Sequence, residues 1–211
     1  MLIMGKTFFS VYTIVLTLLL IWTFFTPVLA FTDSPQTQTA YDVGVYLCHQ
    51  KISRSICIFK TLDSYYIGDC TKQNGQYVEG DNRIIKAVDE KGNIGFKLPI
   101  CSRDIGIYLA MLIGGLYCYK TRKIDSKDIP PSIWLVLALI PLGIDGTTQL
   151  LSNFGISLPF IGFYESTNLV RLITGLISGI ALPFYIFPLV NAYSRKAEEP
   201  KKKSESNAEQ N

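Results

Sequence analysis

The chain has 211 residues, 48% of them hydrophobic and only 18% charged, with a formal net charge of +3. A soluble globular domain carries about 25% charge, and here the apolar residues are bunched into long runs. Composition therefore excludes a disordered chain, a coiled coil and an ordinary cytosolic enzyme. The small positive excess gives no case for nucleic acid, and an integral membrane protein is the class that remains.

A helix that crosses about 30 Å of hydrocarbon needs roughly 20 mainly apolar residues. The first such run, Phe8 to Ala30, has no charge and lies in an N-terminal segment of residues 1–30. Lys6 before it and Val28-Leu29-Ala30 at its end also suit a secretory signal peptide. Its length favours a retained transmembrane helix, and either reading puts the next segment on the same side of the membrane.

Residues 31–98 form that next segment, with eight Lys/Arg against eight Asp/Glu. Phe31 to Thr39 is a polar linker. Tyr41 to Phe59 is mixed and amphipathic and reads as a helix along the membrane surface. From there the pattern changes to a β-rich insert over 60–97. Asn74-Gly75 and Lys91-Gly92-Asn93 are turn signals, and Gln76–Val78, Arg83–Val88 and Asn93–Lys97 read as short strands.

Residues 99–192 read as a three-helix membrane core. Its first run, Ile105 to Tyr119, is short, so its helix is expected to reach back toward Leu98. Pro131 to Leu151 and Asn168 to Val190 follow. The fold expected is an all-α polytopic membrane protein with four transmembrane helices and a small extracytoplasmic β insert. Gly106, Ala110 and Gly114, and separately Gly175 and Gly179, recur at four-residue spacing, which lets helix backbones approach closely.

Short cytoplasmic loops are enriched in Lys and Arg. The loop Lys120 to Asp128 has four, the tail from Tyr193 has five, and Ser152 to Ser166 has none. Both termini are therefore expected in the cytoplasm of a cell-membrane protein, with 31–98 outside. The basic patches beside the membrane have anionic lipid as their neighbour. The tail, 193–211, is polar without apolar periodicity and reads as disordered.

Four of the five cysteines fall on the outer side, Cys48, Cys57, Cys70 and Cys101, which allows three pairings. Cys57 with Cys70 would staple the base of the insert. Cys118 reads as packing.

Three features could carry chemistry. The only histidine, His49, follows Cys48. Cys101 and Asp104 open the second span three residues apart, on one helix face. Asp145 and Gln149, at i and i+4, share a face of the third span, while Glu165 and Arg171 stand at the start of the fourth. With about 1.5 Å of rise per residue, Asp145 lies about 20 Å from Pro131, in the outer part of the bilayer. Arg103, Asp104, Asp145, Gln149, Glu165 and Arg171 can then meet at one level. Ionisable groups in lipid turn inward and pair, so Asp145 is expected to pair with Arg103 or Arg171. Cys48, His49, Cys101 and Asp104 offer two thiolates, an imidazole and a carboxylate, all of which zinc or another divalent metal accepts. A Cys48–Cys101 disulfide is the alternative.

The segments LCHQKISRSICIF, LPICSRDIGIYLAMLIGG, PLGIDGTTQLL and ESTNLVRLITGLISG, from about Leu47 to Gly179, resemble the prokaryotic membrane-protein family called domain of unknown function 2085. The resemblance carries over Cys48, His49, Gln50, Arg54, Ser55, Cys101, Arg103, Gly106, Tyr108, Asp145, Gly146, Gln149, Asn168, Arg171 and Gly175. It implies no reaction. Asp104 stands where the family pattern has a second cysteine, Ile52 where it has a proline, and the stretch between Cys57 and Leu98 looks like an insertion.

Three functions fit the residues. One is an outward-facing site based on a metal or on thiols. Another is a membrane-embedded enzyme acting on a lipid or lipid-linked head group, with Arg103 and Arg171 gripping the anion and Asp145 or His49 as general base. The third is a non-catalytic assembly protein whose outer insert docks a protein partner. No P-loop, HExxH, GxSxG or GxGxxG motif is present, so the common soluble chemistries have no support.

Overall fold

The structure, a computed structural model, describes residues 2–48, 54–70, 78–79, 85–157, 159 and 162–194. Helices α1 (Leu2–Phe31) and α2 (Thr37–Val45) come first. An antiparallel sheet follows, made of β1 (Ile56–Lys60), β2 (Tyr65–Asp69), β3 (Val78–Glu79), β4 (Ile85–Val88) and β5 (Ile94–Lys97) in the order β2-β1-β5-β4-β3. Helices α3 (Ser102–Lys120), α4 (Ser132–Asn153) and α5 (Asn168–Ala181) complete the chain's main elements. After a turn at Leu182 the helix resumes over 183–194.

Among the described residues three helices are long and apolar enough to cross a membrane: Lys6–Phe31, Ser132–Asn153 and Asn168–Ser194. The fourth expected span, α3, is 19 residues long but carries Arg103 and Asp104 in its first turn and Lys120 in its last. Those charges shorten its apolar stretch. Nor does it reach back to Leu98. Pro99 disfavours helix at the residue before it, and Cys101 sits extended, φ −78° and ψ 160°, as the N-cap.

Burial in α4 is inverted relative to a soluble protein. Its buried residues are Asp145 and Gln149, whereas Trp134, Val136, Ile144 and Leu150 are exposed. Water would penalise that arrangement and lipid favours it, because apolar side chains belong in hydrocarbon and polar ones in the bundle. In α1 the buried Thr23 and Thr26 hydroxyls donate to the Leu19 and Trp22 carbonyls at 2.8 and 2.7 Å, so neither is left unsatisfied.

The small-residue rows lie where α3 crosses α5. A Cβ added at Gly106 would overlap the Leu172 carbonyl oxygen, and one at Gly175 would overlap that of Arg103. Only glycine permits this approach, which sets the first turns of α3 and α5 side by side.

The sheet begins earlier than expected, and the stretch 41–59 is not one helix. Helix α2 ends at Val45, while Ile56–Lys60 pairs with β2 on one side and β5 on the other. The run Ile56-Cys57-Ile58-Phe59 is β-branched and aromatic, which suits a strand between two partners. Cys57 and Cys70 are disulfide-bonded and pack with Phe59 and Ala87. On another side of the sheet, Ile58, Leu98, Ile100 and Ile105 form a cluster joined by Trp22 and Phe31 of α1. Polar ties lock sheet to bundle: the Asn168 Nδ2 amide donates to the Ser55 carbonyl at 3.0 Å and to Asp69 Oδ1 at 2.9 Å. Ser102 Oγ donates to Asn168 Oδ1 at 2.9 Å. The turn expected at Asn74-Gly75 and the tail from 195 onward lie outside the described residues.

Candidate functional site

The site forms where the sheet meets the bundle. Strand β5 ends at Lys97, the buried Leu98-Pro99-Ile100 follows, and Cys101 caps α3. Cys48 arrives from the other direction, just beyond α2, with its backbone N–H donating to the Gly44 carbonyl at 2.9 Å. The Cys48 and Cys101 sulfurs and an Asp104 carboxylate oxygen all lie within 4.8 Å of one another. The Cys101 thiol donates to Asp104 Oδ2 at 2.9 Å. Hydrogen bonding to Cys48, then burial, then the Asp104 charge hold the Cys101 pKa above the ordinary thiol range. Cys101 is therefore a protonated thiol near neutral pH and a poor nucleophile by itself. A bound divalent cation would reverse that, since a coordinating thiol gives up its proton. His49 lies outside the described residues.

Lys97 had no role in the sequence reading. It is fully buried, and burial pushes its ammonium pKa down to about 8. Its backbone carbonyl accepts from the buried Tyr41 hydroxyl at 2.6 Å. A signal existed: Gly95 and Lys97 are the buried phase of β5, and period-2 alternation puts a lysine on that face.

The second half of the site comes from the helices. Arg103 forms an ion pair with Asp145. The Tyr164 hydroxyl donates to the other Asp145 oxygen at 2.9 Å, and the buried Ser166 is also hydrogen-bonded to that carboxylate. Glu165, expected in this cluster, is exposed and does not line the cavity. The segment 164–167 is neither helix nor strand; Tyr164 and Ser166 reach Asp145 from it, while Glu165 between them is exposed. In sequence the charged Glu165 stands out, yet its two polar neighbours are the ones that bind Asp145. Tyr164 is further tied to α4 by its backbone N–H, which donates to Ser152 Oγ at 2.8 Å.

A cavity of about 260 Å³ joins the two halves. Cys48, Cys101 and Asp104 line one part of it, and Arg54, Arg103, Gln149 and Arg171 line the rest. Arg171 is 1% exposed and Gln149 3%. The Gln149 Nε2 amide is buried with no hydrogen-bond partner among the described residues, as are the Nε groups of Arg54 and Arg103. Of the residues singled out from sequence, those from four separate segments thus share one cavity, Asp145 stands behind it through Arg103, and Glu165 stands outside it.

A lipid-facing helical bundle with polar residues turned inward is the architecture of a membrane protein, and the comparisons name the group. The family described as "Predicted membrane protein (DUF2085)" matches residues 94–185. An uncharacterized protein of Methanocaldococcus jannaschii is 41% identical over 95 residues, 45% of this chain and 54% of that protein. An uncharacterized protein of Methanothermobacter thermautotrophicus is 39% identical over 89 residues, 42% of this chain and 68% of that protein. The chain belongs to this predicted membrane protein family. It spans about half the length of the first relative. No solved structure matches it.

Proposed function

We propose that the protein is a four-span, multi-pass cell-membrane protein that holds a divalent metal, zinc by ligand type, at Cys48, Cys101 and Asp104, with His49 as the fourth candidate ligand by sequence. The observation that carries the reading is the convergence of two thiols and a carboxylate, from different segments, within 4.8 Å. In tetrahedral zinc sites Zn–S is about 2.3 Å and Zn–O about 2.0–2.2 Å, so ligand atoms stand roughly 3–4 Å apart. Small side-chain adjustments close the set. Cys48 and Cys101 are not joined as a disulfide in the structure, and their sulfurs stand together with Asp104 in ligand range.

The site faces outward in this reading. Both termini and the Lys120–Asp128 loop are cytoplasmic by their basic residues, and the Cys57–Cys70 disulfide suits an oxidising exterior. Ser102–Lys120 serves as the remaining span, with its first-turn charges at the outer rim.

Metal analysis of protein purified without added chelator tests the proposal. About one equivalent of zinc is expected, falling below about a tenth in Cys101→Ser and in Asp104→Ala while the protein remains monodisperse. A wild-type content below that level, unaffected by either substitution, would remove the metal.

A further inference from the structure

We propose that the same cavity binds a phosphate group through Arg54, Arg103, Arg171 and Gln149. The proposal shares a wall with the metal reading and stands without it.

Charge is the first argument. Three guanidiniums line the cavity against one carboxylate, Asp104. Asp145, behind the wall, neutralises Arg103 through their ion pair. Arg54 and Arg103 each stand close enough to Arg171 to act on it repulsively. Like charges gathered in a partly desolvated space are costly, and an anion between them turns repulsion into attraction. A metal at the thiols does not remove the excess, because the two protons it displaces leave two thiolates that cancel its charge.

The second argument is the donor inventory. Gln149 Nε2, Arg54 Nε and Arg103 Nε are buried N–H donors with no acceptor among the described residues. Each such group carries a desolvation cost until something accepts from it. The missing partner is thus rich in acceptors and needs no donor of its own. Phosphate oxygens meet that description, and the planar guanidinium fork matches them two at a time.

Size and position narrow the ligand. About 260 Å³ falls just below the range of about 300–1,000 Å³ typical of drug-sized sites, so a head group or a small phosphate fits and a bulky ligand does not. The cavity lies at the sheet end of the bundle, bounded by the first turns of α3 and α5 and the last turns of α4. In a bilayer that is the level of lipid head groups. Free phosphate and a phosphate-bearing lipid offer the same chemistry there.

The test uses full-length protein in neutral detergent and in nanodiscs. Inorganic phosphate is titrated by calorimetry, and phosphatidic acid in phosphatidylcholine nanodiscs is compared with phosphatidylcholine alone by thermal melting. Saturable phosphate binding supports the free anion as ligand. Stabilisation by phosphatidic acid without response to free phosphate supports a lipid head group. In either case Arg54→Gln and Gln149→Leu should weaken the effect about tenfold, the loss expected when a charge-assisted or buried hydrogen bond is removed. Zinc content should stay at the wild-type level in both variants, and Cys101→Ser should lose zinc yet keep phosphate binding, so the two readings fail separately. No response to either ligand, or a response undiminished in both variants, overturns the proposal.

Discussion

At the scale of single residues, the account turns on Asp145. It is 4% exposed, sits among lipid-facing apolar side chains, and is satisfied by Arg103 and Tyr164 together. Removing one member of a buried pair leaves the other charge uncompensated, which costs about 3–5 kcal/mol. Arg103 keeps some solvent contact, so Asp145→Asn should fall near the low end, about 3 kcal/mol. The double variant Asp145→Asn with Arg103→Gln should be less damaged than the sum of the two single changes, because both act on one interaction. Thermal melts of the four proteins in one detergent give the coupling; strict additivity would mean that the pair does not hold the helices. Sequence reading found Asp145, Arg103, Gln149 and Arg171 because ionisable and amide groups are conspicuous in apolar runs. Tyr164 and Ser166 lie in a polar stretch where such residues are unremarkable, and Lys97, set among Ile94, Phe96 and Leu98, is marked only by the phase of β5. That phase depends on where the chain is extended.

Among the elements, the α3–α5 crossing does most to shape the site. Gly106 and Gly175 allow the first turns of both helices to touch, which brings Arg103, Asp104 and Arg171 to one cavity. A side chain at Gly175 would strike the Arg103 carbonyl oxygen, backbone that cannot rotate aside. Gly175→Leu should therefore destabilise by roughly 1–3 kcal/mol or more through overpacking and should lower zinc content along with the melting temperature. Gly143→Ala, on α4 with open space around its Cβ position, is the matched control and should be near neutral. Equal melting temperatures for Gly175→Leu and wild type would place the crossing elsewhere. The four-residue spacing made this contact readable in advance. The early start of the sheet was less so: Ile56–Lys60 alternates too little to separate a two-sided strand from a helix of mixed polarity. What decides is its pairing with β2 and β5, a long-range fact.

For the molecule as a whole, burial in α4 is the most informative pattern. A helix whose buried residues are an aspartate and a glutamine is intelligible only with hydrocarbon outside and a polar cavity inside. The same cavity collects Cys48 from beyond α2, Cys101 and Asp104 from the start of α3, Gln149 from α4 and Arg171 from α5. Long apolar runs and their flanking charges made the membrane class legible in the sequence. Convergence was a geometric wager there, since spacing along a chain does not say which helix ends are neighbours. Cross-linking of Cys48 to Cys101 tests that convergence most directly. In a Cys118→Ser background, after metal removal by chelator, mild oxidation of the folded protein should convert the Cys48 and Cys101 thiols into one disulfide, read by peptide mass spectrometry as a 48–101 linked pair. Two thiols that alkylate independently and resist linkage, in protein that is otherwise folded, would contradict the shared cavity on which the metal and phosphate readings both depend.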